Sequence, residues 1–334
     1  MTNMSRRNFL KLAGGAVLGM AVLKMTGNSA AQVKDALSGG GKSEVFFTDD
    51  ISVKGLLNIY SKINQGMTGK IGIKLHTGEP HGPNLLPVGL IKGLQATIPN
   101  STIVECNVLY GGPRYQTASH REVIKTNGFD FCPVDIMDEA GDVMLPIPGM
   151  KEFLAKGQGY LPGDHLTEVA VGGHLLRYNS LLVYTHFKGH TMGGFGGSLK
   201  NIGIGNASGH VGKAMVHGPG WPTGPGFLER MVEAGKATTE HFKGHITYIN
   251  VLKNMSIDCD CDPNGAPPTC KDIGILGSTD ILAIDKASLD LVYNLPGAQK
   301  TDLIERIESR SGRHQIEYMK TLGMGNTEYN LIRV

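Results

Sequence analysis

The sequence has no Cys-x-x-Cys pair, a single tryptophan and no excess of either charge. Each absence excludes something. Without Cys-x-x-Cys spacing there is no ferredoxin-type framework for a four-cysteine iron–sulfur cluster. Five cysteines in 334 residues are too few for a disulfide-stapled miniprotein. A formal net charge of +2, from 32 basic and 30 acidic residues, leaves no electrostatic footprint for nucleic acid, and no nucleic-acid partner is expected. No stretch of about 20 apolar residues is present, so no stable membrane span is expected once the N-terminus is removed. Glycine is what abounds: 47 residues, about twice the usual fraction, which places much of the chain in loops, where sites are built.

Residues 5–11 read Ser5-Arg6-Arg7-Asn8-Phe9-Leu10-Lys11, followed by the uncharged stretch Leu12 to Leu23. Paired arginines, a short apolar core and the small residues Ser29-Ala30-Ala31 describe a twin-arginine-type export signal over 1–31. That route carries folded proteins, often with a cofactor inserted, and implies a periplasmic or exported destination. A linker over 32–44 and one domain over 45–334 complete the expected organisation. Arg6, Arg7, Lys11 and Lys24 fall in the signal, which has no acid, so residues 32–334 hold 28 basic against 30 acidic residues.

Short apolar runs alternate with helix-length segments. Strands are expected at 70–75, 101–106, 168–171, 181–185, 246–251, 272–276 and 281–284. Helices are expected at 86–98, 119–127, 226–241, 286–293, 300–309 and 314–322. This alternation predicts an α/β fold, a mostly parallel sheet flanked by helices in one integrated domain.

Three polar clusters follow expected strands, where such folds place ligands. The first is Lys74, His76 and Glu79, suited to metal ligation or acid/base work. The second holds His186, Lys188 and His190, then Gly196, Gly197, Lys200 and Asn201. Two histidines four apart share a face if helical, but Phe187 stands where a zinc metalloprotease needs Glu. Glycines there let backbone amides approach an anion that Lys200 neutralises. Lys213 follows Gly212, yet Ala207 and Ala214 break a P-loop, and Ser208 breaks a dinucleotide fingerprint. The third cluster is Asp258-Cys259-Asp260-Cys261-Asp262-Pro263-Asn264-Gly265. Its thiols suit a soft transition metal. Asp260, Asp262 and Asn264 match the start of a calcium loop, but Lys271 replaces the closing Glu, so calcium ranks lower. A disulfide from Cys261 to Cys270 competes for the thiols in an oxidising compartment.

Taken in order, Ile73-Lys74-Leu75-His76-Thr77-Gly78-Glu79-Pro80, Tyr110-Gly111-Gly112-Pro113-Arg114, His186-Phe187-Lys188-Gly189-His190, Gly194-Phe195-Gly196-Gly197-Ser198-Leu199-Lys200-Asn201, Gly212-Lys213 and Asp258-Cys259-Asp260-Cys261 resemble the domain of unknown function 362 family. The likeness is to the branch labelled uncharacterised Fe–S centre proteins and covers roughly residues 45–334. Members of that branch carry a ferredoxin-like, cysteine-rich insert; here its place holds only Gly218 to Gly226.

These readings converge on an exported metal- or cofactor-dependent protein of redox type, more an oxidoreductase than a hydrolase. His76, Glu79, His186 and His190 are the acid/base candidates. His186, His190, Cys259 and Cys261 are the metal candidates, with Asp260, Asp262 and Asn264 behind them. Lys74, Lys188, Gly196, Gly197, Lys200, Asn201 and Lys213 are expected to hold an anionic small molecule. Two alternatives remain open: a non-catalytic periplasmic binding protein for a small anion or metal, and a subunit serving a redox partner protein. N-terminal sequencing of the exported protein is expected to start near Gln32; a retained Met1 in a cytoplasmic protein overturns the export reading.

Overall fold

A computed structural model describes residues 41–159 and 165–334. The export signal over 1–31 and most of the expected linker lie outside the described residues. The strands, in chain order, are β1 (Ser43–Thr48), β2 (Ile71–Lys74), β3 (Ser101–Glu105), β4 (Val134–Ile136), β5 (Asp142–Pro146), β6 (Glu168–Gly172), β7 (Ser180–His186), β8 (Lys188–His190), β9 (Gly194–Gly196), β10 (Ile246–Leu252), β11 (Gly274–Ser278) and β12 (Tyr329–Arg333). Eight of them form one sheet in the order β12-β1-β11-β10-β7-β2-β3-β4. β11 runs antiparallel to both neighbours, while the other pairings are parallel. The pairs β5–β6 and β8–β9 are separate antiparallel ribbons. The fold is α/β.

Both faces of the sheet are covered, as parallel sheets require. On β7, Leu181 and Val183 join one buried cluster, and Leu182 and Tyr184 join the other. That is the two-residue alternation of a strand feeding two cores. One face packs the helices Ser198–Gly205, Pro225–His241 and Ile281–Tyr293 through Leu199, Met231 and Ile284. The other packs Val53–Ile63 and Val88–Gln95 through Ile59 and Leu94. Among the described residues, no helix is long and apolar enough to cross a membrane.

One expected strand is a helix. The run Ile281-Leu282-Ala283-Ile284 starts the helix Ile281–Tyr293, which also absorbs the helix expected at 286–293. A short apolar run reads the same for a buried strand and a buried helix. Asp280 decides it: its Oδ1 accepts from the Ala283 amide at 2.9 Å and caps the first turn. The same carboxylate accepts from Ser43 Oγ at 2.6 Å and from the Asn326 amide at 2.8 Å, tying both ends of the domain to the cap.

The topology also places the site. From β2 the chain steps outward through β3 to β4, and the later strands β7 and β10 extend the sheet the other way. The reversal lies between β2 and β7, and ligand crevices open outside the carboxyl ends of strands at such a point. Lys74 ends β2, Glu105 ends β3 and His186 ends β7.

Asp280→Ala is expected to cost roughly 0.5–2 kcal/mol, the usual range for a lost N-cap. Urea unfolding checks this: the midpoint should fall with an unchanged slope.

Candidate functional site

Two buried ion pairs frame the crevice. Lys74, 1% exposed, donates from Nζ to Glu105 Oε2 at 2.8 Å. Glu105 Oε1 accepts from the Thr77 amide at 2.9 Å and its hydroxyl at 3.2 Å. Burial alone would raise the Glu105 carboxyl, but Lys74, His76 and Arg114 hold it well below the usual carboxylate range. Glu79 Oε1 accepts from Arg114 Nε at 2.8 Å and Tyr110 hydroxyl at 2.7 Å. Glu79, expected as an acid/base group, is thus engaged in a buried pair. Its amide donates to the Asp260 carbonyl at 2.9 Å and joins the first cluster to the third.

The third cluster folds into a turn, with the Asp262 amide donating to the Cys259 carbonyl at 2.8 Å. The β8–β9 ribbon presses against it. Gly189 donates to the Ser256 carbonyl at 2.8 Å, and a Cβ at Gly189 would lie 2.2 Å from the Ile257 carbonyl oxygen. This close approach lets the residues on either side of Gly189 reach the turn. Lys188 Nζ pairs with Asp260 Oδ2 at 2.9 Å, and His190 reaches Cys259.

Cys259 is the focus of this turn. The Cys261 thiol donates to it, Lys200 Nζ lies 3.7 Å from its sulfur, and His190 and His76 donate from the sides. The hydrogen bond from Cys261 leads these effects, which together outweigh burial and hold Cys259 well below the usual thiol range. Cys261 moves the opposite way, because it gives the hydrogen bond and is buried. His76 Nδ1 accepts from the Gly78 amide at 2.8 Å, and His190 Nδ1 accepts from the Gly193 amide at 2.9 Å. Both rings therefore carry their proton on Nε2. Burial lowers the pKa of both.

Donor atoms of His190, Cys259 and Cys261 lie within 4.8 Å of one another, a group able to hold a metal. The other metal candidates sit differently. His186 Nδ1 faces Asp260 at 3.0 Å and Nε2 faces the Lys253 carbonyl at 2.8 Å, so neither nitrogen is free to ligate. Asp260 is occupied by His186 and Lys188, which hold it below the usual carboxylate range against the opposing effect of burial. Asp262 Oδ1 accepts from the Asn264 amide at 2.9 Å inside its own turn. Asp260, Asp262 and Asn264 therefore do not converge as a calcium loop. The five cysteines are all free of disulfides, Cys261 and Cys270 included, and burial pushes Cys270 to about 11.

The glycine turn also differs from expectation. Its amides are taken by a carboxylate of this chain: Asp285 Oδ1 accepts from the Ser198 amide at 2.8 Å, and Oδ2 from Leu199 at 2.9 Å. A Cβ on Gly197 would lie 2.5 Å from Asp285 Oδ1, which explains the glycine there. Gly197 thus seats Asp285 in place of an external anion, while a Cβ on Gly196 would meet only the Lys200 side chain, at 3.7 Å. Asn201 is structural: its Nδ2 donates to Thr185 Oγ1 at 2.9 Å and the Tyr184 carbonyl at 3.1 Å.

Beside the thiols opens a cavity of about 320 Å³. Lys74, His76, His190, Lys200, Lys213 and Cys261 reach it. Glu105, Tyr110, Arg114, His217 and Trp221 belong to it too and were missed as site residues in the sequence. Glu105 and His217 were findable: the first ends a strand, and the second is one helical turn beyond Lys213. A second group, Asp135, Glu139 and His174, lies elsewhere; Asp135 is already bonded to His174 and Tyr178 at 2.8 Å each.

A family profile described as "Domain of unknown function (DUF362)" matches residues 71–290, more than half of the chain, and the chain belongs to that family. No curated protein matches. Among solved structures, the lactate racemase apoprotein of Thermoanaerobacterium thermosaccharolyticum is similar at 12% identity and a TM-score of 0.41, covering 74% of this chain and 56% of that one. A Thermotoga maritima protein is similar at 11% identity and 0.39, covering 82% and 60%. The chain spans less than two thirds of either protein's length.

Burial raises Asp285 to about 6, above its ordinary value near 3.9. The folded state therefore holds this proton more tightly than the unfolded state. Its contribution to stability is complete below about pH 4 and declines as pH rises through about 6. The stability difference between wild type and Asp285→Asn should shrink over that window by on the order of 2–3 kcal/mol. Urea unfolding from about pH 4 to 7 measures it; a flat difference shows that Asp285 does not titrate this way.

Proposed function

We propose that this is an exported, metal-dependent redox protein acting on a small molecule, with Cys259, Cys261 and His190 as its ligand core. The observation that carries the reading is the convergence of those three donors on one buried point beside the cavity. Two thiolates favour a soft or borderline ion such as zinc, copper(I) or iron over calcium or magnesium. His76, bonded to Cys259, is a further donor. A metal held there supplies Lewis acidity or an electron path at the cavity wall.

The chain's own groups set the conditions for loading. Cys259 is already biased to the thiolate, and Cys261 must lose its proton. The rings of His190 and His76 present an N–H to Cys259 because backbone amides occupy their Nδ1 atoms. Ligation through Nε2 requires that proton to move to Nδ1 and the Gly193 or Gly78 amide to turn away. Metal uptake is therefore coupled to a proton shift and to the glycine turn after His190.

The same hydrogen bonds favour a second reading. Two imidazole N–H groups, a thiol and Lys200 around one sulfur make Cys259 an activated thiolate in its own right. Metal analysis of the native, exported protein separates the two. The metal reading expects about one transition-metal ion per chain, with His190→Ala and Cys259→Ser each losing roughly tenfold or more in affinity. A metal-free protein whose Cys259 is alkylated rapidly at about pH 6 supports the thiolate reading instead. A metal-free protein that alkylates slowly overturns both.

A further inference from the structure

The cavity beside the thiols contains more positive charge than its carboxylates balance. Lys74 is paired with Glu105, and Arg114 with Glu79. Two cations lack a carboxylate partner among the described residues. Lys213 is buried, and its Nζ donates to the Ala207 carbonyl at 2.7 Å. Lys200 is held near the Cys259 sulfur at 3.7 Å. A divalent ion bound by two thiolates is already neutralised by them, which leaves Lys200 without a counter-charge. That step rests on the metal reading above. The geometry at Lys213 does not depend on it; burial lowers the Lys213 pKa from its ordinary value, so an anion seated there would also hold its proton.

A third group points the same way. His217 is buried, lines the cavity, and its Nδ1 has no hydrogen-bond partner. An orphan buried nitrogen of this kind is costly unless a ligand or water completes it. Burial, and then the positive field of His190, Lys200, Lys213 and Arg230, depress His217 to about 3. The helices deliver these groups in register. Lys213 and His217 are one turn apart on Gly212–His217, and Lys200 and Ile204 are one turn apart on Ser198–Gly205.

Much of the remaining wall is apolar. Tyr110, Met192, Ile204 and Trp221 line the space. Trp221 is held in the left-handed region, at φ 53°, within a turn whose Gly218 and Gly220 also have positive φ. Its ring lies 4.4 Å from that of His217, between centroids. The volume of about 320 Å³ is roughly twice that of an apolar cavity able to hold benzene, ~150 Å³. The backbone amides that would cradle a phosphate at the glycine turn are occupied by Asp285.

We propose that this cavity binds a carboxylate with an apolar, ring-sized body, its acid group at Lys200, Lys213 and His217 and its body against Tyr110, Met192, Ile204 and Trp221. Charge selects the head and apolar area selects the body, so neither a bare anion nor a neutral ring fulfils both.

Trp221 is the chain's single tryptophan, so its emission reports the cavity directly. The probes are 3-phenylpropionate, its neutral amide, acetate and inorganic phosphate, titrated against the full exported chain with and without added zinc. The expected result is a saturable change in emission with 3-phenylpropionate, at a Kd about tenfold or more below those of the other three. Lys213→Met and Lys200→Met should each weaken the acid about tenfold and leave the amide within about twofold. A thermal melt shows whether each variant is folded; if one is not, the other carries the test. Equal affinity for acid and amide overturns the proposal, and so does phosphate or acetate binding as tightly as the acid. No saturable change with either aromatic probe overturns it as well. Zinc bound without acid preference removes this inference and leaves the metal reading intact. Acid preference without zinc uptake removes the metal reading and leaves the carboxylate site on Lys213 and His217.

Discussion

A lysine that is 1% exposed at the end of a central strand can remain there only if its charge is met inside the protein. The pairing of Lys74 with Glu105 meets it, and much of the crevice follows from that contact. It joins β2 to β3 at their carboxyl ends, draws the Thr77 amide and hydroxyl onto the same carboxylate, and fixes the path of the 75–82 loop. That loop carries His76 toward the Cys259 sulfur and Glu79 toward Arg114. A buried pair of this kind adds little net stability, but loss of one partner leaves the other charged and dry. Its value here is positional.

Around the thiols the same logic continues with different groups. Asp260 takes His186 and Lys188, so the carboxylate between the two cysteines faces away from them and is neutralised. The thiols are left to each other, one lysine and two imidazoles, and the hydrogen bond from Cys261 to Cys259 is the main cause of their opposite displacements. The glycines of the 193–197 turn give the backbone room to bring this set together, and Asp285 holds the turn in place.

Much of the fold was legible in the sequence. The strands at 71–74, 101–105, 180–186 and 246–252 are short apolar runs bounded by turn residues, and they appear close to their expected positions. The rule that sites sit where strands end pointed to Lys74, His76 and His190. What the sequence hid is pairing across long separations. Nothing near Gly197 announces that Asp285 fills it, and nothing near His186 announces that Asp260 and Lys253 occupy both its nitrogens. His186 and His190 look equivalent in sequence; the break between β7 and β8 and the close approach at Gly189 send one to structure and the other to the thiols. The strand expected at 281–284 became a helix because one capping carboxylate outweighs an apolar run that fits either.

The carboxylate seated on the glycine turn lies 87 positions further along the chain than the amide it receives. As the chain leaves the ribosome, the histidines and the turn therefore emerge long before the group that secures them. The cysteines follow in between, and their environment is complete only when the last third of the chain has joined the sheet. No early fragment can hold a finished version of this centre.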